Sequence, residues 1–146
     1  MALPIHTALL AALVTCASLE PRALAQGALP IPELRSTAEA RQEERDWATA
    51  IDAYRRIVAL DPKDNSAWFE LSRCALELRD LPTAIEASRR AAQLGGKPGP
   101  MARFILARAL AQSAKPDAAL SELDRALEEA PNDIRKKILE EAQSAA

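Results

Sequence analysis

The side chains able to carry acid–base, nucleophilic or metal chemistry are few, and two of the three most reactive sit near the start of the chain. The single histidine is His6, and the two cysteines are Cys16 and Cys74. Imidazole general-base catalysis, a histidine-containing zinc site or a cysteine–histidine nucleophile pair would all need His6. Paired carboxylates are more plentiful, as Glu43-Glu44, Glu128-Glu129 and Glu140-Glu141. Two carboxylates can serve glycoside hydrolysis when they flank a substrate. Adjacent acids on amphipathic, charge-balanced helices read instead as solvated faces. There is no glycine-rich phosphate loop, since Gly95-Gly96-Lys97-Pro98-Gly99-Pro100 lacks the strand-to-helix setting a P-loop requires. No catalytic, metal or cofactor site is expected.

The position of His6 and Cys16 sharpens this reading. Ile5 to Leu19 is an apolar run, ended by Pro21 and followed by Ala23-Leu24-Ala25. That is the pattern of a secretory signal with an A-x-A cleavage site, although the region before the run holds His6 and no Lys or Arg. A transmembrane helix would need roughly 20 apolar residues, more than the run supplies. Residues 1–25 are therefore expected to be a cleaved signal peptide, leaving Gln26 first and removing both His6 and Cys16. Alternatively, Leu13-Val14-Thr15-Cys16 resembles a bacterial lipobox, in which Cys16 would be acylated and anchor the chain to a membrane. Thr15 departs from the small residue such boxes favour. After either event Cys74 is a lone thiol that can form no internal disulfide.

What remains must be held by its body, and the body reads as helical. Hydrophobic residues make up 49% of the chain, mostly Ala and Leu, while aromatic residues are only 3%. Strong helix formers thus dominate over the β-branched and aromatic residues that strands favour. Lys and Arg number 19 against 21 acids, for a net charge of −2 with the signs interspersed. No basic field is available for a phosphate backbone, so nucleic acid is not an expected partner.

Self-similarity organises the rest. Asp61-Pro62 and Ala130-Pro131 each close an apolar helical stretch, and the Gly/Pro loop at 95–100 falls between them. They divide the chain into units at 31–64, 65–99 and 100–133, a period of about 34 residues. Small residues recur in register: Ala38, Ser72 and Ala107; Ala40, Cys74 and Ala109; Ala50, Ala84 and Ala119. Asp46 and Asp80 also share a position. Cys74 accordingly reads as a small packing residue. Small residues let two helices of a hairpin approach closely, with larger ones filling the space beside them.

These positions resemble the tetratricopeptide repeat. The second unit carries Trp68, Leu71, Ser72, Ala84 and Ala91; the third Leu106, Ala107, Ala119, Ala126 and Pro131; the first Ala38, Trp47, Ala50, Tyr54 and Pro62. The resemblance implies an all-α fold of three helical hairpins in a right-handed α-solenoid. Thr37 and Arg41 make the first helix polar, as an end repeat requires. A capping helix is expected over 133–144, with Asn132 or Asp133 as N-cap and Ile134, Ile138, Leu139 and Ala142 on its apolar side. Arg135, Lys136 and Lys137 crowd its positive N-terminal end. Residues 26–32 read as a linker.

The resemblance also implies where a ligand would lie. In this family the concave groove is lined by recurring positions of the first helix of each hairpin, here Phe69, Arg73 and Glu77 in the second unit and Met101, Phe104, Arg108 and Gln112 in the third. Phe69/Arg73 and Phe104/Arg108 repeat one i, i+4 pair, a ladder of apolar anchor and guanidinium with both rings expected to be open to the groove. Such a surface suits a peptide with hydrophobic and acidic groups. The carboxylate clamp of some family members has no counterpart, because the matching positions hold Arg35, Glu39, Glu70, Met101 and Ile105. The expected function is a non-catalytic protein–protein interaction module, monomeric, exported to the periplasm or beyond, serving as an adaptor or assembly factor. The alternative is a structural protein that self-associates by stacking its end helices.

Overall fold

In the computed structural model residues 29–144 are described, and the expected leader with His6 and Cys16 lies outside them. Among the described residues there are seven helices and no strand. They are α1 (Ile31–Glu43), α2 (Trp47–Leu60), α3 (Asn65–Glu77), α4 (Leu81–Leu94), α5 (Gly99–Gln112), α6 (Pro116–Glu129) and α7 (Asn132–Ser144). Each helix packs on its neighbour in sequence, giving three antiparallel hairpins, α1/α2, α3/α4 and α5/α6, followed by α7. None of these helices is long and apolar enough to cross a membrane.

The turns inside the hairpins explain a recurrence seen in the sequence. Helix α1 ends with Asp46 N–H donating to Arg41 C=O at 2.8 Å and Arg45 N–H to Gln42 C=O at 3.0 Å. Helix α3 repeats this with Asp80 to Ala75 and Arg79 to Leu76, and α5 with Lys115 to Leu110 and Ala114 to Ala111. This is the Schellman C-cap, which needs a left-handed residue at its turn. Arg45, Arg79 and Ala114 take that role with φ of 59°, 62° and 55°. The next residue immediately starts the following helix. Asp46 accepts from Thr49 N–H, and Asp80 from Thr83 N–H, each at 3.2 Å. The shared aspartates are thus N-caps as well as the last residues of a C-cap. Lys115 stands at the third such position and provides no side-chain cap, so α6 relies on Pro116 in its first turn.

Packing follows the small residues. Ala38, Ser72, Ala50 and Ala84 are inaccessible to solvent, and Ala107 and Ala119 nearly so. Tyr54, Ile57, Leu71 and Cys74 fill the space between the first two hairpins. Cys74 and Ala109 are buried, but Ala40, in the same repeat position, is exposed. The expectation of a buried small residue fails there because α1 has no preceding hairpin among the described residues.

Helix α7 departs from expectation in three respects. It begins at Asn132, so Asn132 and Asp133 lie in its first turn and Pro131 precedes it. Its buried stripe is Ile138, flanked by half-buried Ile134 and Ala142, whereas Leu139 is exposed. Arg135 does not burden the helix start. It turns back onto the end of α6, donating from Nε to Leu127 C=O at 2.9 Å and from its terminal nitrogen to Ala130 C=O at 3.3 Å. A cation there meets the negative end of the α6 dipole and carbonyls that lack helical partners.

Candidate peptide-binding groove

The stack holds a cleft of about 330 Å³ to which five helices contribute. Gln42 of α1 and Trp47 at the start of α2 form one end, Phe69, Arg73 and Glu77 of α3 and Met101 and Arg108 of α5 the floor, and Lys137 and Glu141 of α7 the other end. Of the seven residues picked out in the sequence, Phe69, Arg73, Glu77, Met101 and Arg108 therefore share one cleft. Gln112 is exposed and lines neither this cleft nor its neighbour.

The ladder recurs in space, with one rung altered. The Arg73 guanidinium lies 5.9 Å from the centroid of Phe69, and that of Arg108 lies 5.9 Å from Phe104, so both pairs form the same cation–π contact. The expectation that both rings face the groove does not hold. Phe104 is 3% exposed and packs with Met101, Ala126, Ala130 and Ile138. The reason is α7, whose Ile138 covers Met101 and Phe104 at the point where the array would otherwise leave them open. Phe69 remains half-buried, and with half-buried Trp47 it supplies the aromatic surface of the cleft.

The two arginines also differ in charge environment. Arg73 donates to Glu70 at 3.0 and 3.3 Å. Glu70 in turn accepts from Gln42 Nε2 at 3.0 Å, and the Gln42 carbonyl oxygen accepts from Tyr54 O–H at 2.8 Å. This chain fixes the groove floor to the core, since Tyr54 is 1% exposed and burial pushes its hydroxyl well above the ordinary tyrosine range. Arg108 has no carboxylate within 4.0 Å among the described residues. The sequence pattern marks both arginines alike; it does not reveal that Glu70, three residues before Arg73, is positioned to neutralise one of them. The clamp positions are likewise engaged elsewhere: Arg35 pairs with Asp64, and Ile105 is core.

Chemistry is sparse on this face. Burial holds the Cys74 thiol up to about 11, opposed by a hydrogen bond from Gln42, so it stays protonated at neutral pH. No group of three or more His, Cys, Asp or Glu that could hold a metal ion occurs among the described residues.

The tetratricopeptide repeat family model matches residues 36–99. Over those residues, which span the first two hairpins, the chain is similar to that family. No curated protein matches it. Solved structures with the same helical stack include the N-terminal domain of stress-induced protein-1 (STI-1) from C. elegans, at 16% identity and TM-score 0.63, covering 75% of this chain and 92% of that one. The TPR2B domain of yeast Sti1, solved in a complex with pHsp70, has 19% identity and TM-score 0.64, covering 76% and 97%. The Yersinia enterocolitica type III secretion translocator chaperone SycD has 17% identity and TM-score 0.64, covering 78% and 88%. At these identities the likeness is one of fold. In this chain the helical stack brings Phe69, Arg73 and Arg108 into one cleft.

Proposed function

We propose that the chain is a non-catalytic protein-interaction module whose concave groove holds a segment of another polypeptide, and that it acts in the cell envelope as an adaptor or assembly factor. The observation that carries this reading is the convergence of Phe69, Arg73, Met101 and Arg108 in one cleft on a rigid stack. A half-buried aromatic ring supplies apolar contact, and Arg108, free of a carboxylate partner among the described residues, offers two parallel donors to an acidic group. The translocator chaperone and the TPR2B complex show the same fold in proteins that work with other proteins. Glu77, Lys137 and Glu141 at the cleft edges give it mixed charge, which favours a partner segment with both signs over a purely acidic one.

Affinity capture from envelope extracts tests this reading, comparing the native chain with an Arg73→Glu/Arg108→Glu variant. Both side chains reach solvent, so the fold should survive the reversal. The native chain should retain a protein that the variant loses, and retention should fall as salt is added. Equal capture by both would remove the groove from the account. Envelope location rests on the leader pattern, and mass analysis of the exported chain should find Gln26 first. A lipid-modified Cys16 would instead make it a membrane-anchored module, and an intact Met1 would remove it from the envelope.

A further inference from the structure

A second concavity lies beyond the groove, on the other side of Arg108. The crease between α5 and α6 receives Ile134 and Ile138 of α7, but past Ala142 it stays open among the described residues as a cavity of about 390 Å³. Ala107 and Ala111 of α5 form one wall, Ala119, Leu120 and Leu123 of α6 the other, with the edge of Phe104 lining it as well. The two short walls and the small methyl of Ala142 create this space, since each alanine leaves room that a larger side chain would fill. Leu120 is 60% exposed there. The volume falls within the roughly 300–1,000 Å³ of pockets that hold ligands.

We infer that this pocket is a second docking site, taking one large apolar side chain of a partner segment whose neighbouring carboxylate pairs with Arg108. Two observations specify the occupant. The pocket continues the crease in which the apolar stripe of α7 already lies, so what fits is the next apolar residue of a helical face. Arg108 lines both this pocket and the groove and has no carboxylate partner among the described residues, so a carboxylate beside the apolar group completes the site. The site is distinct from the groove proposed above, and a partner long enough to cross Arg108 could occupy both.

The test uses the whole chain and a helical peptide of about 15 residues with one leucine and a glutamate four positions on. Two control peptides carry serine for that leucine or glutamine for that glutamate, and decanoate serves as a lipid-like control. At peptide concentrations on the order of 1 mM, amide resonances of Ala111, Leu120 and Leu123 should shift. The serine peptide should not shift them, and the glutamine peptide should bind about two- to fivefold more weakly, the range for a partly exposed ion pair. Arg108→Gln should remove the difference between the glutamate and glutamine peptides. Leu120→Asp, at an exposed position that the fold does not need, should abolish the shifts. Shifts confined to Phe69, Arg73 and Met101 would overturn the pocket while leaving the groove reading intact. No shift anywhere, or binding of decanoate without the peptide, would equally overturn it.

Discussion

Replacing Phe104 with Ala should destabilise the fold far more than replacing Phe69, although the two rings occupy the same repeat position. Phe104 is 3% exposed and touches the cluster of Met101, Ala126, Ala130 and Ile138, so its truncation removes a buried ring at a cost of about 3–5 kcal/mol. One edge of the ring borders the open crease, where water can enter the space left behind, and that places the cost near the lower end. Phe69 keeps part of its surface in solvent and should cost about half as much. A chain of this size is stable by roughly 6–17 kcal/mol, so both variants should fold. At roughly 4 °C per kcal/mol, Phe104→Ala should lower the melting midpoint by about 12 °C and Phe69→Ala by about 6 °C. Far-UV circular dichroism melts give both numbers. Equal shifts, or a smaller shift for Phe104, would refute the placement of α7 over the third hairpin. The same comparison explains why truncating both rings together is a poor probe of the groove: it would disturb the core.

Three further outcomes follow from particular positions. Ala84→Leu should cost about 1–3 kcal/mol because the residue is fully enclosed, and Ala119→Leu, at the matching helix crossing but bordering the open crease, should cost less, both read from a urea titration. Ala114→Gly should raise stability by about 1 kcal/mol, since a left-handed C-cap residue with φ of 55° favours glycine, and the rise should appear as a higher urea midpoint. Stability should fall by about 1 kcal/mol between pH 8 and pH 10. The Cys74 thiol, raised from 9.0 to about 11 by burial, stays protonated in the folded chain while the unfolded chain releases its proton, so the stability present below pH 9 is lost as pH rises toward 11. Cys74→Ala should flatten that slope, and an unchanged slope would show that the thiol is not buried.

The repeat period, the small residues of the hairpin crossings and the all-helical class were legible because each rests on short-range rules. Two helices joined by a tight turn need Ala50, Ala84 and Ala119 wherever they cross, and the period exposes that need three times. The shared aspartates were visible too, but not their reason, because a Schellman turn is defined by backbone angles at Arg45, Arg79 and Ala114 that no sequence rule demands of Arg or Ala. The site was half legible. Spacing put each Arg one helical turn after its Phe, and in both pairs the guanidinium stands 5.9 Å from the ring centroid. It could not separate an open ring from a covered one, since the cover comes from Ile138, in a helix outside the repeats. Nor could spacing show Glu70 holding one guanidinium while the other stays without a partner. Those differences arise from contacts between elements, and they decide which residues a ligand meets.

The central claim is that partner binding occurs on the concave face, and site-specific photo-crosslinking tests it most directly. A photoreactive phenylalanine analogue placed at Glu77, at the groove edge, should form a covalent adduct with a captured envelope partner, and the same analogue at Arg89, exposed on α4 and remote from the groove, should not. Adducts at Arg89 with none at Glu77 would contradict the account.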